Sequence, residues 1–201
     1  MQAEIKSSCF LNWIAKIRDE LCATSLPTFN FVNNVKMMDK KYILNKEEVS
    51  RKIRRLAYEI AERNFGETEL YLAGIREQGF YLAKLLVEEL RGISSLQTQL
   101  FSITLDKRSP DEIILDPILD FNGKNLLLVD DVASSGKTML YALKPLLNFH
   151  PKKIETLVLV ERTHKQFPVK VDYVGLSVAT TLEEHIFVEV VDGEIVGAYM
   201  N

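Results

Sequence analysis

The sequence predicts an α/β protein with a mostly parallel central sheet flanked by helices and a C-terminal β-hairpin. Three observations predict it. Short apolar runs at residues 70–73, 98–105, 126–129, 154–160 and 172–177 alternate with helical patterns, as buried parallel strands joined by crossover helices do. The run at 126–129 stops on two carboxylates, Asp130 and Asp131, followed by small residues, which puts a polar crevice beyond the carboxyl end of a strand. Near the end, Asp192-Gly193 separates the apolar stretches 186–191 and 194–199, a strong signal for a two-residue hairpin turn.

Composition sets the outer bounds. With 201 residues, 47% hydrophobic and 26% charged, the chain can form one full core, or one domain with an appendage. A net charge of -3 and a pI near 5.7 argue against broad adhesion to nucleic acid and leave room for a local basic patch. No apolar run approaches a membrane span, and the first residues lack the pattern of a signal peptide, so the expectation is a cytoplasmic protein with no membrane partner. Cys9 and Cys22 have no partners at metal spacing and read as ordinary reduced thiols.

Residues 1–37 differ from the rest. A short amphipathic helix fits 9–17, but 24–34 contain Pro27, three asparagines and no clear period. This segment is expected to be either a poorly ordered extension or the non-native product of an upstream start codon, with the domain proper at 38–201. From Asn45 the signals sharpen. Asn45 and Glu48 make a capping-box start, and Val49, Ile53, Leu56, Ala57, Ile60 and Ala61 mark one helix face that ends at Gly66. The opposite face carries Arg51, Lys52, Arg54, Arg55 and Arg63, either a solvated surface or a phosphate-facing patch.

After the strand at 70–73, the stretch Gly74-Ile-Arg-Glu-Gln-Gly79 leads to a helix at about 80–90. A glycine-bracketed loop between strand and helix is a second anion site in outline, with Arg76 available to neutralise charge. Following the strand at 98–105, residues 106–112 are polar and turn-rich and read as a mobile loop.

The central stretch runs Leu126 to Thr138. Ala133, Ser134, Ser135 and Gly136 let the backbone turn tightly, and Thr138 starts a helix whose positive end favours an anion. Two acids directly before a phosphate cradle cannot serve the same phosphate, so they face sugar hydroxyls or a cation such as Mg2+. Gly136-Lys137-Thr138 suggests a nucleoside-triphosphate loop, but that motif needs a glycine where Asp131 stands. An ordinary strand-to-helix turn and a ribose-phosphate site both remain. Beyond it, 139–147 continue the helix, 154–160 form a strand, and 161–170 are basic with one histidine, His164. There is no internal repeat.

Apolar run, Asp-Asp, small residues, Gly, a basic residue and Thr resemble the phosphoribosyl-pyrophosphate (PRPP) signature of the type I phosphoribosyltransferases. From about residue 41 the chain resembles more particularly the PyrR-type pyrimidine-operon regulators of that family, which bind leader RNA and often transfer phosphoribose to uracil. The resemblance implies the type I phosphoribosyltransferase fold and transfer of phosphoribose from PRPP to a nucleobase, uracil by preference, giving UMP and diphosphate. It also implies the rival class, a noncatalytic or bifunctional nucleotide-sensing RNA-binding regulator of pyrimidine genes.

Carried over by position, Asp130 and Asp131 would hold the ribose hydroxyls, and Ala133, Ser134, Ser135, Gly136, Lys137 and Thr138 the 5'-phosphate. Gly74, Arg76 and Gly79 would receive the diphosphate, and Lys107 or Arg108 would close over the reacting centre. Mg2+ would arrive mainly with PRPP, with Asp130 and Asp131 as protein groups able to join it. The loop at 180–185 would border the base, beside Ala179. Arg162, His164, Lys165 and Lys170 would contact RNA, and a homodimer or higher homo-oligomer is expected. The reaction needs no nucleophilic side chain, because its transition state resembles an oxocarbenium ion that requires positioning and charge stabilisation.

Overall fold

A computed structural model describes residues 40–105, 113–117, 119–181 and 183–201. The expectations placed on residues 1–37, on the loop 106–112 with Lys107 and Arg108, and on residue 182 of the loop 180–185 lie outside these. The compact unit that contains the described residues is Asp39–Asn201.

A six-stranded sheet forms its centre, in the order β4-β3-β2-β5-β6-β7. Its strands are β2 (Glu69–Ile75), β3 (Gln97–Leu105), β4 (Ile113–Asp116), β5 (Asn125–Ala133), β6 (Lys153–Arg162) and β7 (Tyr173–Val178). All neighbours are parallel except the edge strand β4, which runs antiparallel to β3. A second, antiparallel sheet in the order β1-β9-β8 joins β1 (Lys41–Asn45), β9 (Glu194–Met200) and β8 (Ile186–Val191). The α/β class and the C-terminal hairpin are thus as expected. Asp192 and Gly193 both have positive φ, 51° and 80°, the conformation a two-residue turn of this kind requires.

Alternation along the central strands divides the core in two. Leu70, Leu72, Leu127 and Val129 pack with helices α1 (Lys46–Arg63) and α2 (Arg76–Ile93). Tyr71, Ala73, Leu126 and Leu128 pack with α3 (Lys137–Leu146) in the other cluster. A sheet buried on both faces has no polar alternation to display, which is why these strands read as continuous apolar runs. At the start of α1 the Asn45 side chain accepts from the Glu48 N–H at 2.9 Å, and the Asn45 N–H donates to the Glu48 carboxylate at 2.9 Å, so the capping box is complete.

Three elements differ from expectation. β4 was not foreseen; Ile113-Ile-Leu-Asp116 is only four residues long and adjoins a polar stretch. β5 continues through Asp130 and Asp131 to Ala133, because Asp130, Val132 and Ala133 stay in register with Val158, Val160 and Glu161 of β6, so the pair sits within the end of the strand. And 74–79 is not a loop: β2 runs to Ile75 and α2 begins at Arg76. Contact between main chains is the reason. A Cβ on Gly74 would lie 2.4 Å from the Phe80 Cα, and one on Gly79 2.6 Å from the Val129 carbonyl oxygen, so these glycines let the first turn of α2 press onto β2 and β5.

Candidate functional site

At the carboxyl ends of β2 and β5 lies a cavity of about 240 Å³, the place an open α/β sheet offers to a ligand. β5 contributes Asp130, Asp131, Val132 and Ala133, the turn contributes Ser134, Ser135 and Gly136, and α3 contributes Thr138 and Met139. Arg76 and Gln78 enter from the first turn of α2, and Ile186, Phe187 and Val188 of β8 complete the wall.

The turn is tight because Gly136, at φ 81°, occupies the left-handed region and caps α3 directly. Only three residues therefore separate strand from helix, and the N-terminus of α3 opens on the cavity. The Ser135 hydroxyl accepts from the Lys137 N–H at 3.3 Å. An anion placed against this turn would meet main-chain N–H groups and the positive end of a helix.

Asp130 is 6% exposed, and its carboxylate accepts from the Asp131 N–H at 3.0 Å. Burial first, and then the Asp131 carboxylate, push Asp130 well above the ordinary carboxylate range, while that N–H and the Arg76 guanidinium pull the other way. The pair therefore resists carrying two negative charges at once. Arg76 has φ 55°, and its Nε and one terminal nitrogen are buried without a hydrogen-bond partner. Buried unsatisfied donors cost free energy, and a guanidinium in that state at a cavity wall suits an anionic or oxygen-rich ligand.

The structure brings together most of the residues singled out in the sequence: Arg76, Asp130, Asp131, Ala133, Ser134, Ser135, Gly136 and Thr138 share the cavity. Gly74 and Gly79 lie behind it as helix-to-strand contacts. The Lys137 ammonium lies 5.8 Å from the centre of the Tyr141 ring. Sequence reasoning missed Gln78, Met139 and the β8 wall. The hairpin was legible, but nothing in its sequence says which end of the large sheet it faces.

Of the basic residues between β6 and β7, Arg162 donates to the Thr181 carbonyl and Lys165 pairs with Glu161. His164 is exposed, and the Lys170 side chain is 88% exposed, 3.9 Å from Asp172. Among the described residues no group of three or more His, Cys, Asp or Glu could hold a metal ion, and no helix is long and apolar enough to cross a membrane.

Residues 40–192 match the family described as the phosphoribosyl transferase domain. The bifunctional protein PyrR of Streptococcus uberis is 36% identical over 160 residues, covering 77% of this chain and 92% of that one. PyrR of Roseiflexus sp. is 35% identical over 175 residues, 81% of this chain and 96% of that one. Among solved structures, the hypoxanthine phosphoribosyltransferase of Trypanosoma cruzi superposes with a TM-score of 0.66 at 19% identity, covering 80% of this chain and 95% of that one. A hypoxanthine-guanine phosphoribosyltransferase of Bacillus anthracis gives 0.65 at 18% identity, again over 80% and 95%. At that identity the likeness establishes a shared fold.

Proposed function

Because this chain belongs to the phosphoribosyl transferase family and has bifunctional PyrR proteins among its relatives, we propose that it transfers phosphoribose from PRPP to uracil, forming UMP and diphosphate. One observation carries this: an acid pair near the end of β5 and the N-terminal turn of α3, with residues 132–136 between them, open on one cavity. A ribose 5-phosphate needs hydrogen-bond partners for its hydroxyls and N–H donors for its phosphate, and this cavity offers both.

In this reading Asp130 and Asp131 accept from the 2' and 3' hydroxyls. Burial and then the Asp131 charge disfavour an ionised Asp130, and a sugar that becomes cationic offsets both, so the pair favours the transition state over the ground state. Ser134, Ser135, Gly136 and Thr138 hold the 5'-phosphate, and Arg76 supplies charge where the diphosphate leaves. The apolar β8 residues Ile186 and Val188 and the Phe187 segment border the base. Two carboxylates, one of them reluctant to ionise, fit a Mg2+ that is held mainly by the phosphate oxygens of PRPP, as Mg2+ commonly is. When bound, the ion neutralises charge on the leaving diphosphate.

Release of diphosphate from PRPP and Mg2+ with uracil, hypoxanthine, guanine, adenine or orotate tests this, with an Asp130→Ala/Asp131→Ala double variant as blank. Release with uracil is expected. Release with another base alone overturns the choice of acceptor, and none with any base overturns the transferase.

A second reading, a nucleotide-sensing regulator that binds leader RNA, is favoured by the outer face of α1. Arg55 is committed to the carbonyls of Val174 and Gly175 at 2.7 and 3.2 Å, and Arg63 lies 4.5 Å over the Tyr173 ring. Arg51, Arg54 and, on the β6–β7 connection, Lys170 remain exposed. Replacing Arg54 or Lys170 with Ala should weaken binding to a structured leader RNA and reduce its salt slope by about one each. Wild-type protein that shows no salt-dependent binding to such RNA removes this reading.

A further inference from the structure

Bonded to the turn that precedes α3 is a connection between β6 and β7, none of whose residues lines the cavity. The Ser135 carbonyl accepts two main-chain hydrogen bonds from it, from the N–H of Gln166 at 3.1 Å and of Phe167 at 3.0 Å. A planar trans peptide points its C=O and the following N–H in opposite directions. With the Ser135 carbonyl tied to 166–167, the Gly136 N–H is turned away from them, and Gly136 lines the cavity.

The connection is itself anchored. Lys165 and Glu161 form an ion pair whose side chains are 15% and 16% exposed, and the second Glu161 oxygen accepts from the Ser177 hydroxyl at 3.1 Å. Glu161 stands beside Ala133 on β5 and beside Ser177 on β7 in the sheet register. A side chain on Gly136 would meet the Phe167 carbonyl oxygen at 3.4 Å and the Lys165 Cδ at 3.7 Å, so the connection packs directly on the turn. Half-buried ion pairs held by a further hydrogen bond restrict geometry more than exposed ones do.

We propose that the Lys165–Glu161 pair is a positioning device for the 5'-phosphate donor: it seats residues 166–167, which aim the Gly136 N–H at the phosphate. Lys165 acts through the main chain of the turn and does not touch the ligand. This rests on the assignment of the turn to a 5'-phosphate.

Calorimetric titration of the full chain with ribose 5-phosphate and, separately, with inorganic pyrophosphate tests it. Lys165→Met and Glu161→Gln should each weaken ribose 5-phosphate by about tenfold, since displacing a preoriented donor carries a cost of that order. Pyrophosphate affinity should stay within about twofold, and Lys165→Arg, which keeps the pair, should bind both like the wild type. Glu161→Gln gives the sign that separates the alternatives. If Lys165 simply attracted phosphate by its charge, removing its acidic partner would tighten binding, and that result overturns the proposal. Unchanged affinity in both variants also overturns it while leaving the phosphate site intact. A wild type that does not bind ribose 5-phosphate overturns the site assignment and the proposal with it. Should Lys165→Met fail to fold, Glu161→Gln, which preserves volume, decides the matter through the same titrations.

Discussion

Replacing Gly79 with alanine should damage both the fold and the site. Gly79 is buried in the first turn of α2, and the added methyl would lie 2.6 Å from the Val129 carbonyl oxygen and 3.2 Å from the Asp130 Cα. Ordinary contact begins at 3.4 Å, so α2 must retreat from β5 by about 0.8 Å. Both obstacles are main chain and cannot rotate aside. Overpacking of this kind costs about 1–3 kcal/mol, and a backbone clash belongs at the upper end. Alanine returns about 1 kcal/mol through its better helix propensity. The net is a loss of roughly 2 kcal/mol, or about 4–8 °C in melting temperature for a domain of this size.

The same shift would part Arg76, three residues before Gly79, from Asp130 on β5. Misplacing groups by close to 1 Å costs about tenfold to a hundredfold in ligand stabilisation, so PRPP affinity should fall in that range. Thermal denaturation followed by circular dichroism, with titration by PRPP and Mg2+, reads both effects. A variant about 1 kcal/mol more stable than wild type, with affinity intact, would refute the reasoning by showing that propensity acts unopposed. Normal stability with loss of PRPP affinity alone would instead make Gly79 a point of close approach to the ligand.

Asp130→Asn separates stability from binding. A carboxyl held above its unfolded value binds its proton more tightly when folded, so wild-type stability falls as pH rises from about 4 through the folded value. The variant should therefore be the more stable protein near neutrality, converge with wild type below about pH 4, and bind ribose 5-phosphate more weakly; a stability difference independent of pH contradicts this. Asn45→Ala removes the cap acceptor of α1 and should cost about 1 kcal/mol in urea unfolding with PRPP affinity unchanged. Phe121 is fully buried, stacked on Phe101 at 4.7 Å and edge-on to Phe149 at 5.1 Å; Phe121→Ala should cost about 3–5 kcal/mol in the same assay, and a loss under 1 kcal/mol would mean that the cluster collapses around the gap.

Much of the fold was written locally. The Asn45–Glu48 cap, the apolar face of α1, the runs that became β5 and β6 and the Asp192-Gly193 turn each rest on neighbours within a few residues, where propensity and periodicity act. The turn between β5 and α3 was legible for the same reason: small residues between an apolar strand and a helix leave few conformations. β4 escaped because four residues on a sheet edge carry little periodic signal. The glycines at 74 and 79 read as bracketing a loop in sequence; that they admit a helix onto a strand depends on Val129 and Phe80 arriving there in space.

By itself, then, the sequence determined the alternation of elements, the acid pair, the turn that follows it and the closing hairpin. Only the tertiary structure decided which groups share the cavity. It joined Arg76 on α2 to Asp130 on β5, set the β8 wall against them, raised the Asp130 carboxyl by burying it beside Asp131, and paired Lys165 with Glu161. Those outcomes depend on distances between residues far apart in the chain and on how deeply each charge is buried, and such quantities exist only once the sheet has formed.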